Sequence, residues 1–205
     1  TATSVNIEEN GDRTPVNYVV PPGITRILDP QQAQLIQDNE QAMSIKVTNL
    51  EAGEARGIYK KSALDLRKYQ RIQMFSHLEA PINDGQMLED GDMSVFIRLG
   101  SDYTGNYYEY EIPLTVTEHG YYNNDNESDR RMVWPNRNML DISFDVLTAV
   151  KNNRNRLKNS GSSEVSQSTL YSEYDPENPE NKISIIGNPS IGNVRAIMIG
   201  IRNNS

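Results

Sequence analysis

The chain has 205 residues, with 28 acidic against 20 basic side chains, a net charge of -8 and a pI near 4.8. That balance disfavours non-specific binding to nucleic acid or to an anionic membrane. The absence of cysteine excludes disulfides, thiol catalysis and cysteine-based metal sites, without placing the compartment. A chain of this length can bury a full core, and a hydrophobic content of 36% predicts long polar loops around it. No apolar run approaches the ~20 residues that span a bilayer as a helix. Thr1-Ala-Thr-Ser4 begins no signal peptide, and a start at Thr1 points to a processed or excised part of a longer protein.

Residues 1–15 are polar and turn-rich (Glu8 to Asp12) and are expected to be a linker. In the following Thr14 to Ile24, Pro21 and Pro22 forbid helix and hold the backbone extended, leaving Tyr18, Val19, Val20 and Ile24 to dock on a core. Asp29 to Ile36 suits a short helical turn or an extended arm. Ala42 to Leu50 alternates Met43, Ile45 and Val47 against Ser44, Lys46 and Thr48, the period of a strand. Ala55 to Lys60 is a second strand. Ala63 to Ala80 follows, and from Gln70 its apolar residues alternate onto both faces, which predicts a central strand buried deep in a sheet.

A loop over 81–92 leads to the strand Met93 to Leu99, whose hairpin partner across Gly100 to Asn106 is Tyr107 to Val116. Residues 118–131 form the longest polar stretch, and Tyr121 to Asp129 is too charged and Asn-rich to pack. Met132 to Pro135 returns to the core. Met139 to Leu157 has helical spacing in Leu140, Phe144, Leu147 and Val150, with Asp141 as candidate N-cap and a basic C-terminal end that suits the helix dipole. A loop over 159–181 precedes two closing strands, Lys182 to Gly187 and Val194 to Arg202. About eight strands and one inserted helix predict a mainly β domain over 16–205, a jelly-roll-like β-sandwich; an open α+β sheet is the alternative.

Four of these segments carry a resemblance. Arg13-Thr-Pro-Val-Asn-Tyr-Val-Val-Pro-Pro-Gly-Ile24 is the first and Leu64-Asp-Leu-Arg-Lys-Tyr-Gln-Arg-Ile-Gln-Met-Phe75 the second. The third is Trp134-Pro135 with Lys151 and Arg154 downstream. The last is Gly187-Asn-Pro-Ser-Ile-Gly192 with Met198-Ile-Gly-Ile-Arg-Asn203. In that order they resemble the SprA/Sov proteins, the very large outer-membrane translocons of the type IX secretion system of Bacteroidetes, tied to gliding motility and export of surface proteins. The resemblance implies one soluble insertion of a giant transmembrane β-barrel, since the chain lacks a sustained barrel pattern. Its implied partners are the rest of the parent barrel, accessory secretion subunits and exported proteins. The implied location is the cell envelope at the outer membrane, on either side. No catalytic residues come with it.

The residues themselves offer little chemistry. His77 and His119 are far apart and without cysteine they make a zinc site improbable. Gly187 to Gly192 lacks the spacing of a nucleophile elbow. Glu109 and Glu111 alternate with tyrosines on one strand, as a glycosidase pair or any solvated strand face does. Asp84, Glu89, Asp90 and Asp92 share one loop with Asn and Gly between them, a set of hard oxygen ligands that suits a structural calcium ion; no other cofactor is implied. Eleven tyrosines, with Tyr107, Tyr110, Tyr121 and Tyr122 close in sequence, suit a protein-binding or sugar-stacking surface. Lys151 and Arg154 at the basic helix end are candidates to meet an acidic patch. The alternative to an export module is therefore a carbohydrate-binding β-sandwich with structural calcium.

Overall fold

A computed structural model of the chain describes residues 1–25, 40–82, 87–161 and 165–205. The segment Asp29 to Ile36 lies outside the described residues. The molecule is mainly β with few helices and one large antiparallel sheet, consistent with the β-sandwich class. It divides into two compact units: unit 1 is Thr1–Thr48, Phe75–Asp90 and Thr115–Met139, and unit 2 is Asn49–Met74, Gly91–Leu114 and Leu140–Ser205.

Unit 2 is built on six strands: β3 (Ala55–Leu64), β5 (Met93–Gly100), β6 (Tyr107–Pro113), β8 (Tyr171–Tyr174), β9 (Lys182–Ile186) and β10 (Val194–Asn203). Their order is β3-β10-β5-β6-β9-β8, antiparallel throughout. The β5–β6 hairpin turns where the sequence predicts. Asp102 Oδ1 accepts the N–H groups of Thr104, Gly105 and Asn106 at 2.9, 2.6 and 3.0 Å. Gly100 is required there, because a Cβ would lie 1.9 Å from the Asn106 carbonyl oxygen. One face of the sheet is apolar: Val95, Ile97, Leu99, Tyr108, Tyr110, Ile112, Ile183 and Ile185 are all buried. Helix α3 (Phe144–Asn159) packs on β8 and β9 and buries Phe144, Leu147 and Val150.

Two expectations are corrected in this unit. The helix begins five residues later than predicted. Leu140–Ser143 is strand β7, paired with β4 (Arg71–Met74) from Arg71↔Ser143 to Met74↔Leu140. The N-cap is Ser143, whose Oγ accepts the Asp145 N–H at 3.3 Å, while Asp141 takes Arg71 and Gln73 side chains at 2.8 and 3.0 Å. Helical spacing placed Leu140 on the helix, but alternation with Ile142 is what buries it. Likewise β4 is short and half-exposed, with β7 as its one neighbour among the described strands, and the sheet centre falls to β5 and β6. The two-sided apolar pattern around it arises because Phe75, one residue past β4, packs in the core of unit 1.

Unit 1 opens with β1 (Ala2–Asn6), paired antiparallel with β2 (Gln41–Ile45), so the stretch 1–15 expected as a linker carries a strand. Asn6 then caps the one-turn helix α1 (Ile7–Asn10), its Oδ1 accepting the Glu9 N–H at 2.9 Å. The core is Val16, Tyr18, Val19, Val133 and Trp134, with Val5, Ile7, Ala42, Phe75 and Tyr122 packed against it. Part of the polar stretch Tyr121 to Asp129, expected to stay unpacked, is ordered. Asn126 caps α2 (Glu127–Val133), its side chain accepting the Ser128 N–H.

Candidate functional site

In unit 1 the extended segment 16–22 is buried, and among the described residues no strand lies beside it apart from one isolated bridge from Val16 to Gly120. Its backbone must therefore find partners elsewhere: the Tyr18 N–H donates to the Asn10 carbonyl at 2.9 Å, and side chains of 124–134 take Val19, Val20 and Pro21. Asn17 and Tyr122 lock reciprocally: Asn17 Nδ2 donates to the Tyr122 carbonyl at 2.9 Å, and the Tyr122 N–H donates to Asn17 Oδ1 at 2.7 Å. The Val20 N–H donates to Asn124 Oδ1 at 2.9 Å. Trp134 Nε1 donates to the Val19 carbonyl at 2.8 Å. Arg130 donates to the carbonyls of Val20 at 2.7 Å, Pro21, and Ile24 at 3.1 Å. Tyr18, Phe75 and His77 meet the Trp134 ring edgewise at 6.0, 6.4 and 5.7 Å. Burial, and then a hydrogen bond to Glu40, push the Tyr18 phenol up.

His77 sits inside this clamp. Its Nε2 is 3.0 Å from Glu79, which also takes Arg13 at 2.7 Å, and its Nδ1 lies 3.0 Å from the Val133 carbonyl and 3.1 Å from Thr117 Oγ1. Thr117, His77 and Glu79 have the residue types of a nucleophile–base–orienter set. Thr117 is buried, however, and Glu79 is shared with Arg13, so the arrangement fixes the 75–80 chain rather than presenting a nucleophile. His119 Nε2 hydrogen-bonds the Ala80 carbonyl. Beside the clamp in sequence stand exposed apolar residues: Tyr121 is 73% exposed and Met132 57%.

In unit 2 the second face of the sheet carries charge. Arg98 lies directly across from Glu109, and Phe96 from Glu111. Arg98 Nε donates to Glu109 Oε2 at 2.6 Å, Arg202 Nη2 to Glu109 Oε1 at 3.0 Å, and Arg202 Nη1 to Glu111 Oε2. Ser94 Oγ donates to Glu111 Oε1 at 2.5 Å. Both guanidinium groups lie over the Phe96 ring, at 5.2 and 5.0 Å from its centroid, and Arg98 also sits 4.3 Å from that of Tyr107. Burial pulls Arg202 down, but Glu109 and Glu111 outweigh it and hold the guanidinium above its ordinary value. Each of the four carboxylate oxygens thus has a donor. Both carboxylates are buried and engaged by these donors on one face of the sheet.

The other residues singled out from sequence divide sharply. Tyr107 and Tyr110 are buried; Tyr110 donates to Asp175 Oδ2 at 2.5 Å and accepts from Asn181 at 3.0 Å. Tyr121 is exposed, and Tyr122 is half-buried in the clamp. Arg154 is fully buried and donates to the Gly187 carbonyl at 2.6 Å, while Lys151 donates to that of Pro189 at 2.7 Å, so both hold the Gly187 to Gly192 turn. Burial pulls both cations down, Lys151 further through the charge of Arg154. Leu66 joins the same turn, its N–H donating to the Ile191 carbonyl at 2.8 Å. Asp84 lies outside the described residues. Asp90 Oδ1 accepts the Val116 N–H at 2.8 Å, and among the described residues no three acidic or histidine side chains gather to hold an ion. An open groove of ≈ 470 Å³ runs over Ala2, Thr3, Ser4, Gln41, Ala42 and Met43, and none of its lining side chains titrates near neutral pH. Asn17, Asn124 and Arg130 were not singled out from sequence; Pro21-Pro22, which forbids a ladder, is the signal that side-chain partners are needed there.

The geometry defines a β-rich module whose buried Glu109, Glu111 and Arg154 and whose Trp134 clamp are all engaged within the chain. The chain matches the SprA_N family, described as motility related/secretion protein, over residues 1–205, and it belongs to that family. Among curated proteins, none matches it. The resemblance read from the sequence therefore holds. Its quoted segments are also the ones that touch: Val19 with Trp134 in unit 1, and Leu66, Lys151 and Arg154 with the Gly187 to Gly192 turn in unit 2. No described helix is long and apolar enough to cross a membrane.

Proposed function

We propose that this chain is a non-catalytic module of an envelope secretion and gliding-motility translocon, and that it serves protein export through protein–protein contact. The observation that carries this reading is the complete pairing of Glu109 and Glu111 by Arg98, Arg202 and Ser94. These buried carboxylates are engaged within the sheet, and the family description names motility and secretion rather than a reaction. The contact surface proposed is the exposed rim of the unit 1 clamp around Tyr121 and Met132, with the parent barrel, accessory subunits and exported proteins as its partners at the outer membrane. A sugar-binding role finds less support, because Tyr107 and Tyr110 offer no ring face to solvent.

The test is site-specific photo-crosslinking from Tyr121 in the full-length parent, in cells. Adducts with secretion subunits or exported proteins are expected. Sugar adducts without protein adducts would overturn the reading.

A further inference from the structure

The two edges of the six-stranded sheet differ. At one end β8 has four residues and stops at Asp175-Pro176. At the other end β3 runs ten residues, seven of them exposed and none buried. It pairs with β10 along one side, and no described strand or loop backbone hydrogen-bonds its other side. Such an edge presents an open row of N–H and C=O groups, the template for an added strand. The β8 edge offers four residues and the β3 edge ten.

The charges of β3 select what can pair there. Residues 55–64 contain Arg56, Lys60 and Lys61 and no acidic side chain, on a chain whose net charge is -8. Arg56 is paired with Glu54 at 3.1 Å. Lys60 and Lys61 are exposed, and among the described residues neither has a carboxylate partner. Being consecutive in a strand they project to opposite faces, so an added strand would have a lysine beside it above and below the sheet. Like charges across a strand pair are unfavourable and opposite charges favourable. Two β3 edges paired about Lys60 and Lys61 would set lysines against lysines, and neither edge carries an acidic residue to pair with them in any other register, which argues against a second copy as the occupant. We propose that the outer edge of β3 takes up an extended acidic polypeptide segment as a seventh strand. This goes beyond the export reading and does not depend on it, since it rests on the strand edge and its unpaired lysines.

The probe is an acetylated, amidated peptide Thr-Val-Thr-Glu-Glu-Thr-Val-Thr, compared with the same peptide carrying Lys-Lys at its centre. Binding is followed by amide hydrogen exchange of the whole chain at up to millimolar peptide. The Glu-Glu peptide is expected to bind roughly fivefold tighter, to slow exchange within 55–64, and to lose its advantage as salt rises. In the double variant K60E/K61E the preference is expected to invert. N-methylation of alternate peptide residues is expected to abolish binding of the Glu-Glu peptide to the unaltered chain, which keeps the test decisive should the double variant misfold. Equal binding of both peptides, undiminished binding after N-methylation, protection outside 55–64, dimerisation through β3 in place of peptide uptake, or no protection at all would each overturn the proposal.

Discussion

The segment 16–22 of unit 1 and strand β5 of unit 2 are both buried and both rich in apolar residues, yet their backbones are satisfied in opposite ways. β5 lies between β10 and β6 and exchanges ladder hydrogen bonds with each. The 16–22 segment has proline at its end, one isolated bridge and one main-chain bond from Tyr18 to Asn10, so Asn124, Arg130 and Trp134 bond it through side chains while its own Asn17 side chain holds the Tyr122 backbone. A ladder repeats and tolerates changes of side chain, because backbone atoms make it. A side-chain clamp is made of particular residues, each with one geometry. The difference teaches where single substitutions should be felt: at named polar and aromatic residues in unit 1, and at buried charges and tight glycines in unit 2.

Trp134→Ala removes the ring around which Tyr18, Phe75 and His77 gather, and the donor to Val19. It should cost about 3–5 kcal/mol, read by chemical denaturation as early loss of unit 1 signals. Arg202→Ala leaves Glu109 and Glu111 short of a cation on the charged face of the sheet, and should cost unit 2 about 3–5 kcal/mol. Replacing Arg98, Arg202, Glu109 and Glu111 together by apolar residues of similar volume should recover much of that loss, which separates the worth of the network from the penalty of breaking it. Gly200→Ala should cost about 1–3 kcal/mol, because a Cβ there would lie 2.4 Å from the Phe96 ring and 2.7 Å from the Arg56 carbonyl. Asn124→Ala leaves the Val20 N–H without its acceptor and should cost unit 1 about 1–3 kcal/mol.

The smallest effect expected is one of pH. The Gly105 N–H, opposed by burial and joined by the N–H groups of Thr104 and Asn106, brings the Asp102 carboxyl down from 3.8 to about 2. A carboxyl lowered in the fold stabilises fully above its unfolded value and loses that contribution as pH falls through its folded one. Thermal melts should therefore show a decline between about pH 4 and pH 2 that is reduced in Asp102→Ala, with the variant less stable near neutrality and converging on the parent in acid.

Much of unit 2 was legible from alternation alone. Met93 to Leu99 and the two closing strands lie where the period of two places them, the strand expected over Tyr107 to Val116 starts where expected and ends at Pro113, and the Gly100 to Asn106 turn follows from its residues. What failed did so for identifiable reasons. Leu140 and Ile142 satisfy both a helical and an alternating pattern, and only pairing with Arg71–Met74 decides between them. Tyr107 and Tyr110 have the composition of a binding surface, but the register of β6 between β5 and β9 sets them in the interior. Glu109 and Glu111 resemble a solvated face until Arg202, over ninety positions away, is brought beside them. The clamp was least legible, because Asn-rich sequence signals loops in general and nothing local says that Asn17 will meet Tyr122.

The measurement that tests this contrast most directly is residue-resolved amide exchange in the parent and in Trp134→Ala. The account predicts that the Val20 and Tyr122 amides, held by Asn124 and Asn17, exchange roughly a hundredfold faster in the variant, while the β5 amides keep their parental rates. Equal acceleration in both places, or unchanged protection of Val20 and Tyr122, would contradict the claim that a side-chain clamp rather than a ladder holds the 16–22 segment.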